Sequence, residues 1–162
     1  MTEPLVSRVD AGTRMVSRRI TVAAPASDVF DLVANPHRHA ELDGSGTVRQ
    51  APVTAPERLS EGARFRVAMK MHGVPYGITS TVTGYQENRL VEWQHPFGHR
   101  WRWELVEVSP GITEVTETFD YTTSRAPRLL ELLRMPAMNA HGITRTLRQL
   151  AERFTEAGPG VV

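Results

Sequence analysis

Residues 90–105 read Leu90-Val91-Glu92-Trp93-Gln94-His95-Pro96-Phe97-Gly98-His99-Arg100-Trp101-Arg102-Trp103-Glu104-Leu105. On both sides of the Pro-Phe-Gly segment, large apolar side chains alternate with polar ones. A period of two places one set of side chains on each face of a β-strand. The stretch therefore predicts two antiparallel strands joined by a tight turn, with one apolar face and one charged face.

The same period extends outward from this hairpin over residues 63–123. Turn-forming residues interrupt it at His72-Gly73-Val74-Pro75, at Glu87-Asn88-Arg89 and at Ser109-Pro110-Gly111. Short turns between successive strands are typical of an antiparallel meander with one solvated face.

The residues before the meander predict a strand followed by helix. Val16 to Ala23 alternates as a strand, and residues 25–33 have helical spacing with Ser27 or Asp28 as the expected N-cap. The residue before a proline avoids the α-helical region, so Asn35-Pro36 ends this helix. Residues 36–42 predict one more short helical turn, and residues 47–51 are a candidate further strand.

The residues after the meander predict a long helix. Ile143, Leu147, Leu150 and Phe154 recur on one helix face. Pro136 should kink or break this helix near Met135, since proline removes a helix hydrogen bond. The apolar face of the sheet is the only predicted surface large enough to cover the helix. The fold class is therefore α+β, with a curved antiparallel sheet of about five or six strands wrapped around the C-terminal helix and two short helices after the first strand.

The length of 162 residues suits a single domain. We assign that domain to residues 15–156. Residues 1–14 are polar and mixed in charge, and we expect a flexible N-terminal arm there. Residues 157–162 follow the helix stop and are expected to form a flexible tail.

Composition excludes several classes of function. The 19 Lys and Arg residues nearly balance the 18 Asp and Glu residues, for a net charge of +1, which argues against a nucleic-acid partner. The chain has no cysteine, so disulfides, thiolate nucleophiles and sulfur-based zinc sites are excluded. Its one lysine, Lys70, has outward strand parity, which argues against Schiff-base chemistry.

No stretch approaches the ~18 consecutive apolar residues that span a bilayer. The first residues lack the apolar core and the cleavage pattern of a signal peptide. The sequence therefore predicts no integral membrane segment and a cytoplasmic location, either as a monomer or as a homodimer.

Three segments together resemble one known family. They are Ile20 to Val33 (ITVAAPASDVFDLV), Gly111 to Phe119 (GITEVTETF) and Gly142 to Leu150 (GITRTLRQL). They are similar to the START/SRPBCC superfamily of helix-grip proteins, in particular its polyketide cyclase/dehydrase-like members, over roughly residues 15–156.

The resemblance implies a cavity between the sheet and the C-terminal helix. Members of the superfamily bind lipids, sterols, polyketides or aromatic products there, and some catalyse cyclisation or dehydration. Fold alone does not fix function, so three hypotheses stay open. The first is a protein that binds a hydrophobic small molecule without a cofactor. The second is a cyclase or dehydratase, and the third is an interaction module or half of a dimer.

Strand parity predicts which side chains face inward. The parity places Tyr85 outward, with Thr81 and Thr83. The inward residues that we expect to contact ligand are Phe65, Val67, Met69, Tyr76, Ile78, Ser80, Trp93, Trp101, Trp103, Phe119 and Tyr121. Ligand pockets are usually apolar and aromatic with a few polar groups, as this set is.

Glu117 and His95 are the candidate catalytic residues, because both are ionisable groups of inward parity. A carboxylate on an apolar face can act as a general acid or base, although Glu117 could instead pair with an arginine or reach water at a sheet end. His95 precedes Pro96 at a strand end, so it could shuttle a proton or simply face solvent at the rim. His95 and His99 flank one turn, but two imidazoles without a third ligand do not predict a metal site.

Three residues at the start of the C-terminal helix complete the predicted site. Met135 and Met138 fit either a gap in the core or an adaptable ligand wall. Asn139 could donate a hydrogen bond to ligand or satisfy backbone groups left open by Pro136. His37 and His39 are interpreted as solvated surface residues.

Overall fold

The computed structural model of the protein describes residues 4–42 and 53–156. The candidate strand over residues 47–51 lies outside these ranges. In chain order, the strands and helices are β1 (Ser7–Val9), β2 (Met15–Val22), α1 (Ala26–Val33), a short 3-10 helix (Pro36–Arg38), α2 (His39–Leu42), β3 (Arg64–Met71), β4 (Val74–Gln86), β5 (Leu90–Gln94), β6 (Arg100–Ser109), β7 (Ile112–Asp120), α3 (Pro127–Leu132) and α4 (Met135–Glu156).

The strands form one curved antiparallel sheet of seven strands, in the order β1-β2-β7-β6-β5-β4-β3. The meander β3 to β7 is as predicted, and β2 closes it by pairing with β7. The predicted number of strands was too low because β1 was not foreseen. This three-residue edge strand lies within the expected N-terminal arm and pairs with β2, with Ser7 opposite Arg19.

Helix α4 packs on the concave face of the sheet, mainly against β2 and β7. Its apolar stripe, which includes Ile143, Leu147 and Leu150, is fully buried against that side. The predicted helix-grip architecture is therefore confirmed. The helical region does break near Met135, but the break precedes Pro136. Arg134 takes a left-handed φ of 57° between α3 and α4, and Pro136 lies in the first turn of α4.

The predicted cap of α1 was wrong. The helix begins at Ala26, one residue before Ser27, and Pro25 occupies the N-cap position without a side-chain hydrogen bond. The Ala26 N–H instead donates to the Glu107 carboxylate at 3.1 Å. Glu107 lies at the far end of β6, so a long-range contact replaces the local cap that the sequence suggested.

The convex face of the sheet carries a network of hydrogen-bonded polar side chains. Glu92 is buried, and its carboxylate accepts hydrogen bonds from Arg102 Nε at 2.7 Å and from the Thr83 hydroxyl at 2.9 Å. The hydroxyls of Ser17 and Thr118 form a further buried hydrogen bond at 2.8 Å. Charge-assisted hydrogen bonds of this kind satisfy buried polar groups. Most charges of the strands therefore lie on the convex face, and the concave face is largely apolar, with Glu117 and Arg18 among its few charged side chains.

One side chain of β4 faces opposite to the prediction. The pairing of β4 with β5 shifts register between Val82 and Gly84. A β-bulge adds a residue to one strand and so reverses the facing of the residues beyond it. Tyr85 therefore lies opposite Val91 and packs its ring edge-on against Phe30 of α1, with 5.5 Å between ring centroids.

Candidate functional site

Several chain segments meet at one end of the sheet, which we call the open end. Because neighbouring strands are antiparallel, the β3–β4 turn, the β5–β6 turn and the last residues of β7 lie at this end. The segment that leads into α3 follows β7 directly. The open end therefore brings residues from distant parts of the sequence together.

The strand register confirms the predicted inward parity. Met69 lies opposite Tyr76, Trp93 opposite Trp101, and Trp101 opposite Phe119. Residues directly opposite each other on neighbouring strands share a face. The predicted ligand-contacting residues of the strands therefore lie on one continuous concave surface.

Burial divides this surface into a filled part and a partly open part. The predicted site residues that are buried are Phe65, Val67, Ser80, Trp103, Glu117, Phe119 and Tyr121. The inward residues that are only half-buried lie toward the open end, and they are Met69, Tyr76, Ile78, Trp93, His95, His99 and Trp101. We call this half-buried set the aromatic face.

Ring contacts hold the aromatic face together. Trp101 lies 4.9 Å from Phe119, and Phe119 stacks on Tyr121 at 5.4 Å, measured between ring centroids. Trp93 packs edge-on against Phe65 at 5.6 Å and stacks with the His39 ring at 5.1 Å. Packed rings of this kind form a rigid apolar wall.

His95 and His99 form a stacked imidazole pair at the open end. Their ring centroids are 4.2 Å apart with an interplanar angle of 18°, and His99 also contacts Phe119 edge-on at 5.2 Å. Nδ1 of His95 accepts a hydrogen bond from the Phe97 N–H at 3.2 Å. A ring nitrogen that accepts a hydrogen bond carries no proton, so His95 is a neutral imidazole with its hydrogen on Nε2.

Both imidazoles are held in the neutral form. Burial lowers the pKa of His95 from its ordinary value of 6.5 to about 4. Burial, with a smaller contribution from neighbouring His95, also lowers the pKa of His99 to about 4. At neutral pH the pair can therefore donate and accept hydrogen bonds without adding charge to the aromatic face.

The turn that carries the imidazole pair is fixed against the segment after β7. The Gly98 carbonyl accepts hydrogen bonds from the Thr123 hydroxyl at 2.6 Å and from the Gln94 side-chain amide at 3.0 Å. Gly98 has a φ of 98°, and a Cβ at this position would collide with the Thr123 carbonyl oxygen. Only glycine fits here, which explains the Pro-Phe-Gly turn.

Glu117 lies deeper on the concave face than the imidazole pair. It is buried, and the register places it opposite Arg18 on β2 and opposite Trp103 on β6. Phe119 is the next inward residue toward the open end, about 7 Å further along the strand. The two predicted acid–base residues, Glu117 and His95, therefore share one face but lie on opposite sides of the Phe119 ring.

The two tyrosines of the predicted site, Tyr76 and Tyr121, add hydroxyl groups to it. Burial raises the pKa of Tyr76, which keeps its phenol protonated. The Tyr121 hydroxyl donates to Glu131 of α3 at 3.4 Å, and burial followed by the Glu131 charge raises the pKa of Tyr121.

The predicted helix residues lie at the start of α4. Met135 and Asn139 are half-buried, whereas Met138 is 51% exposed. Because α4 begins where α3 ends, these residues belong to the same end of the molecule as the aromatic face.

Sequence reasoning missed two residues of this region. His39 was interpreted as a surface residue, but it is half-buried, stacks on Trp93, and its Nε2 lies 2.9 Å from the Val33 carbonyl oxygen. His99 was weighed only as a metal ligand, although it shares the inward parity of Trp101. His37 is exposed as predicted. The described part of the chain holds no group of three or more side chains placed to ligate a metal ion.

Two surface depressions lie outside the aromatic face or at its edge. One of about 300 Å³ lies beside α1, between Phe30 and Arg58. The other, of about 360 Å³, is lined by Arg64, Thr79 and Thr81 on the convex side of the sheet and extends to His95. Both linings are rich in charged and hydroxyl groups, unlike the aromatic face.

A family model described as "Polyketide cyclase / dehydrase and lipid transport" matches residues 13–155. The chain belongs to this family. A curated relative is the uncharacterized protein Rv0088 of Mycobacterium tuberculosis, which is 49% identical over 153 residues that cover 92% of this chain and 68% of the relative.

Several solved structures share the fold. One is the Zhui aromatase/cyclase from Streptomyces sp. R1128, with a TM-score of 0.67, 20% identity, and coverage of 91% of this chain and 99% of that one. Another is the polyketide cyclase-like protein Cgl2372 of Corynebacterium glutamicum, with a TM-score of 0.66, 20% identity, and coverage of 93% and 98%. At these identities the likeness establishes the helix-grip fold alone. Within the described residues, no helix is long and apolar enough to cross a membrane.

The lowered pKa values of the imidazole pair predict how stability depends on pH. The unfolded chain takes up protons on both histidines below about pH 6.5, whereas the folded chain takes them up only near pH 4. The free energy of unfolding should therefore fall as pH drops from about 6.5 to about 4. Urea unfolding at a series of pH values measures this loss.

Carboxylates also titrate in this pH range. A pair of variants therefore separates the contribution of the imidazoles to the pH dependence of stability from that of the carboxylates. His99→Phe removes one of the two groups and should flatten the pH dependence, while His141→Gln, at an exposed histidine of α4, should leave it unchanged. The assignment is wrong if His99→Phe retains the full pH dependence of the parent.

Proposed function

We propose that this protein binds a hydrophobic small molecule of lipid, polyketide or aromatic type against the aromatic face. The observation that carries the proposal is the half-burial of Trp93, Trp101 and Met69 on a concave surface whose deeper residues, such as Trp103 and Glu117, are buried. Removing apolar surface from water stabilises a complex by roughly 25 cal/mol per Å². A ligand that covers these side chains would gain that energy without repacking the core.

The polar groups of the aromatic face favour a ligand that carries hydroxyl or carbonyl oxygens. The His99 Nδ1 atom is buried and has no hydrogen-bond partner among the described residues. A buried polar atom without a partner costs about 1–3 kcal/mol, which a ligand hydroxyl or carbonyl would recover. Because both imidazoles are neutral, they would orient such an oxygen without selecting for a charged ligand.

Family membership supports the same class of ligand. The family description names polyketide cyclases, dehydrases and lipid transport, and the Streptomyces neighbour is an aromatase/cyclase. Polyketides and lipids are both largely apolar molecules that carry a few oxygen atoms. This chemistry is complementary to an aromatic wall with two neutral imidazoles at its open end.

Native mass spectrometry of the purified protein tests the binding proposal. We expect a co-purified small molecule, or a complex with an added fatty acid or naphthol. Trp101→Ser should weaken the complex at least about tenfold, because it removes the central ring of the aromatic face. Val106→Ser is the matched control, since Val106 is an exposed apolar residue on the far half of β6 and should leave binding unchanged.

Circular dichroism shows whether each variant is folded. The proposal is overturned if the folded protein binds none of these molecules, or if Trp101→Ser and Val106→Ser bind them equally well.

Acid–base catalysis on the bound molecule is the second candidate function. The observation that favours it is a buried carboxylate, Glu117, on the same face as a neutral imidazole, His95. A ligand would reach Glu117, which lies in the buried part of this surface, only if the Phe119 ring moved aside. A carboxyl group and an imidazole on one face can act as the general acid and base that cyclisation and dehydration require.

Glu117→Gln separates catalysis from binding. It keeps the shape and a hydrogen-bonding side chain but removes the acid–base group, so turnover of a poly-β-ketone substrate should fall by about 10²-fold or more while the dissociation constant changes little. Product analysis together with a binding titration measures both quantities. Unchanged turnover in Glu117→Gln would remove this carboxylate from the proposal, and an absence of turnover in the parent protein would leave binding as the function.

A further inference from the structure

Helix α3 presents large apolar side chains to solvent. Leu129 is 52% exposed and Leu132 is 79% exposed, and Leu133, the C-cap residue directly after the helix, is 57% exposed. Their spacing of three and four residues places them on one side of the helix. A contiguous exposed apolar surface is uncommon in a folded domain and commonly marks an interaction site.

The opposite side of α3 holds the helix to the body of the protein. Leu130 packs against the core, and the Glu131 carboxylate pairs with Arg14 Nε at 3.1 Å and accepts from the Tyr121 hydroxyl at 3.4 Å. These contacts fix the orientation of α3. The three exposed leucines therefore point away from the body because of the way the helix is attached.

Two further apolar residues extend this surface. Phe97 is 64% exposed, and its carbonyl accepts from the Arg125 N–H at 3.0 Å, which places the β5–β6 turn beside the start of α3. Met138, which is 51% exposed, lies at the end of the first turn of α4, the helix that follows α3. We call Phe97, Leu129, Leu132, Leu133 and Met138 together the apolar rim.

The apolar rim is flanked by positive charge. Arg125, Arg128 and Arg134 are all exposed and lie at the start, in the first turn and just beyond the end of α3. The one acidic residue of the helix, Glu131, is already paired with Arg14. A local excess of three positive charges stands out in a chain whose net charge is only +1.

We propose that the apolar rim docks on the surface of an anionic lipid bilayer. Leucine and phenylalanine side chains would enter the boundary between headgroups and acyl chains, while the three arginines would bind lipid phosphates. A second copy of the chain fits less well, since pairing this surface with itself would bring the arginines of both copies together. Docking would turn the open end toward the membrane, but it does not depend on any ligand at the aromatic face.

Vesicle co-sedimentation tests the proposal with the full chain. Vesicles of phosphatidylcholine with about 30% phosphatidylglycerol should bind the protein, and vesicles of phosphatidylcholine alone should bind it much more weakly. Raising the salt concentration should weaken binding to the anionic vesicles, because the arginine–phosphate attraction is screened.

Two sets of variants test whether the protein contacts the vesicles through the apolar rim. Leu132→Ser/Leu133→Ser should reduce binding at least about tenfold, and the change of Arg125, Arg128 and Arg134 to Gln should reduce it by about 100-fold. The matched controls are Val106→Ser/Val108→Ser, at exposed valines of β6, and the change of Arg8, Arg89 and Arg145 to Gln, at exposed arginines elsewhere. Both controls should bind as the parent protein does.

The proposal is overturned if anionic vesicles do not bind the protein at low salt, or if rim and control variants lose binding equally. It is also overturned if light scattering shows a dimer that Leu132→Ser/Leu133→Ser dissociates, because the rim is then an interface between copies. A failure of ligand binding at the aromatic face would not change the vesicle result, so the two proposals fail separately.

Discussion

Helix α4 covers the concave face of the sheet unevenly, and the character of the candidate site follows from this packing. Its apolar stripe lies against β2 and β7, where inward side chains such as Ile20, Val115 and Phe119 are fully buried. The inward side chains of β3 to β6 near the open end are only half-buried. Helix α4 begins at the open end and is preceded there by the separate short helix α3. The covering of that end therefore depends on α3 and on the β3–β4 and β5–β6 turns.

The half-buried inward side chains form an apolar surface because most charges of the strands lie on the convex face. Glu92 and Arg102 pair on the convex side, so charged groups of β5 and β6 are satisfied there by one another. The concave side then carries rings, methionines and few polar atoms. Neutral imidazoles suit such a surface, because a charged group would pay a desolvation penalty that a neutral ring avoids.

Much of this arrangement could be predicted from the sequence. The alternation around Trp93 and Trp101 fixes which side chains face inward, because the side-chain period of a strand allows only two choices. The stripe on α4 indicates the side of the helix that packs on the sheet. The resemblance of three short segments to the helix-grip superfamily correctly predicts the family to which the chain belongs.

The errors arose where long-range contacts replaced local rules. A β-bulge turned Tyr85 inward, and nothing in the local composition marks the position of that bulge. Glu107 caps α1 from about 80 residues away in sequence, and no local motif can predict such a contact. His39 stacks on Trp93 because α2 folds back over the sheet, and its own neighbours resemble a solvated surface.

The three tryptophans provide the most direct test of the central claim, since each gives one indole N–H signal in a nitrogen–proton correlation spectrum. A titration with naphthol, an aromatic molecule that also carries a hydroxyl group, would report on all three rings at once. If ligand binds the aromatic face, the signals of half-buried Trp93 and Trp101 shift with saturation, while that of Trp103, which is 5% exposed, shifts less. Binding that leaves the Trp93 and Trp101 signals unmoved would show that the ligand lies elsewhere.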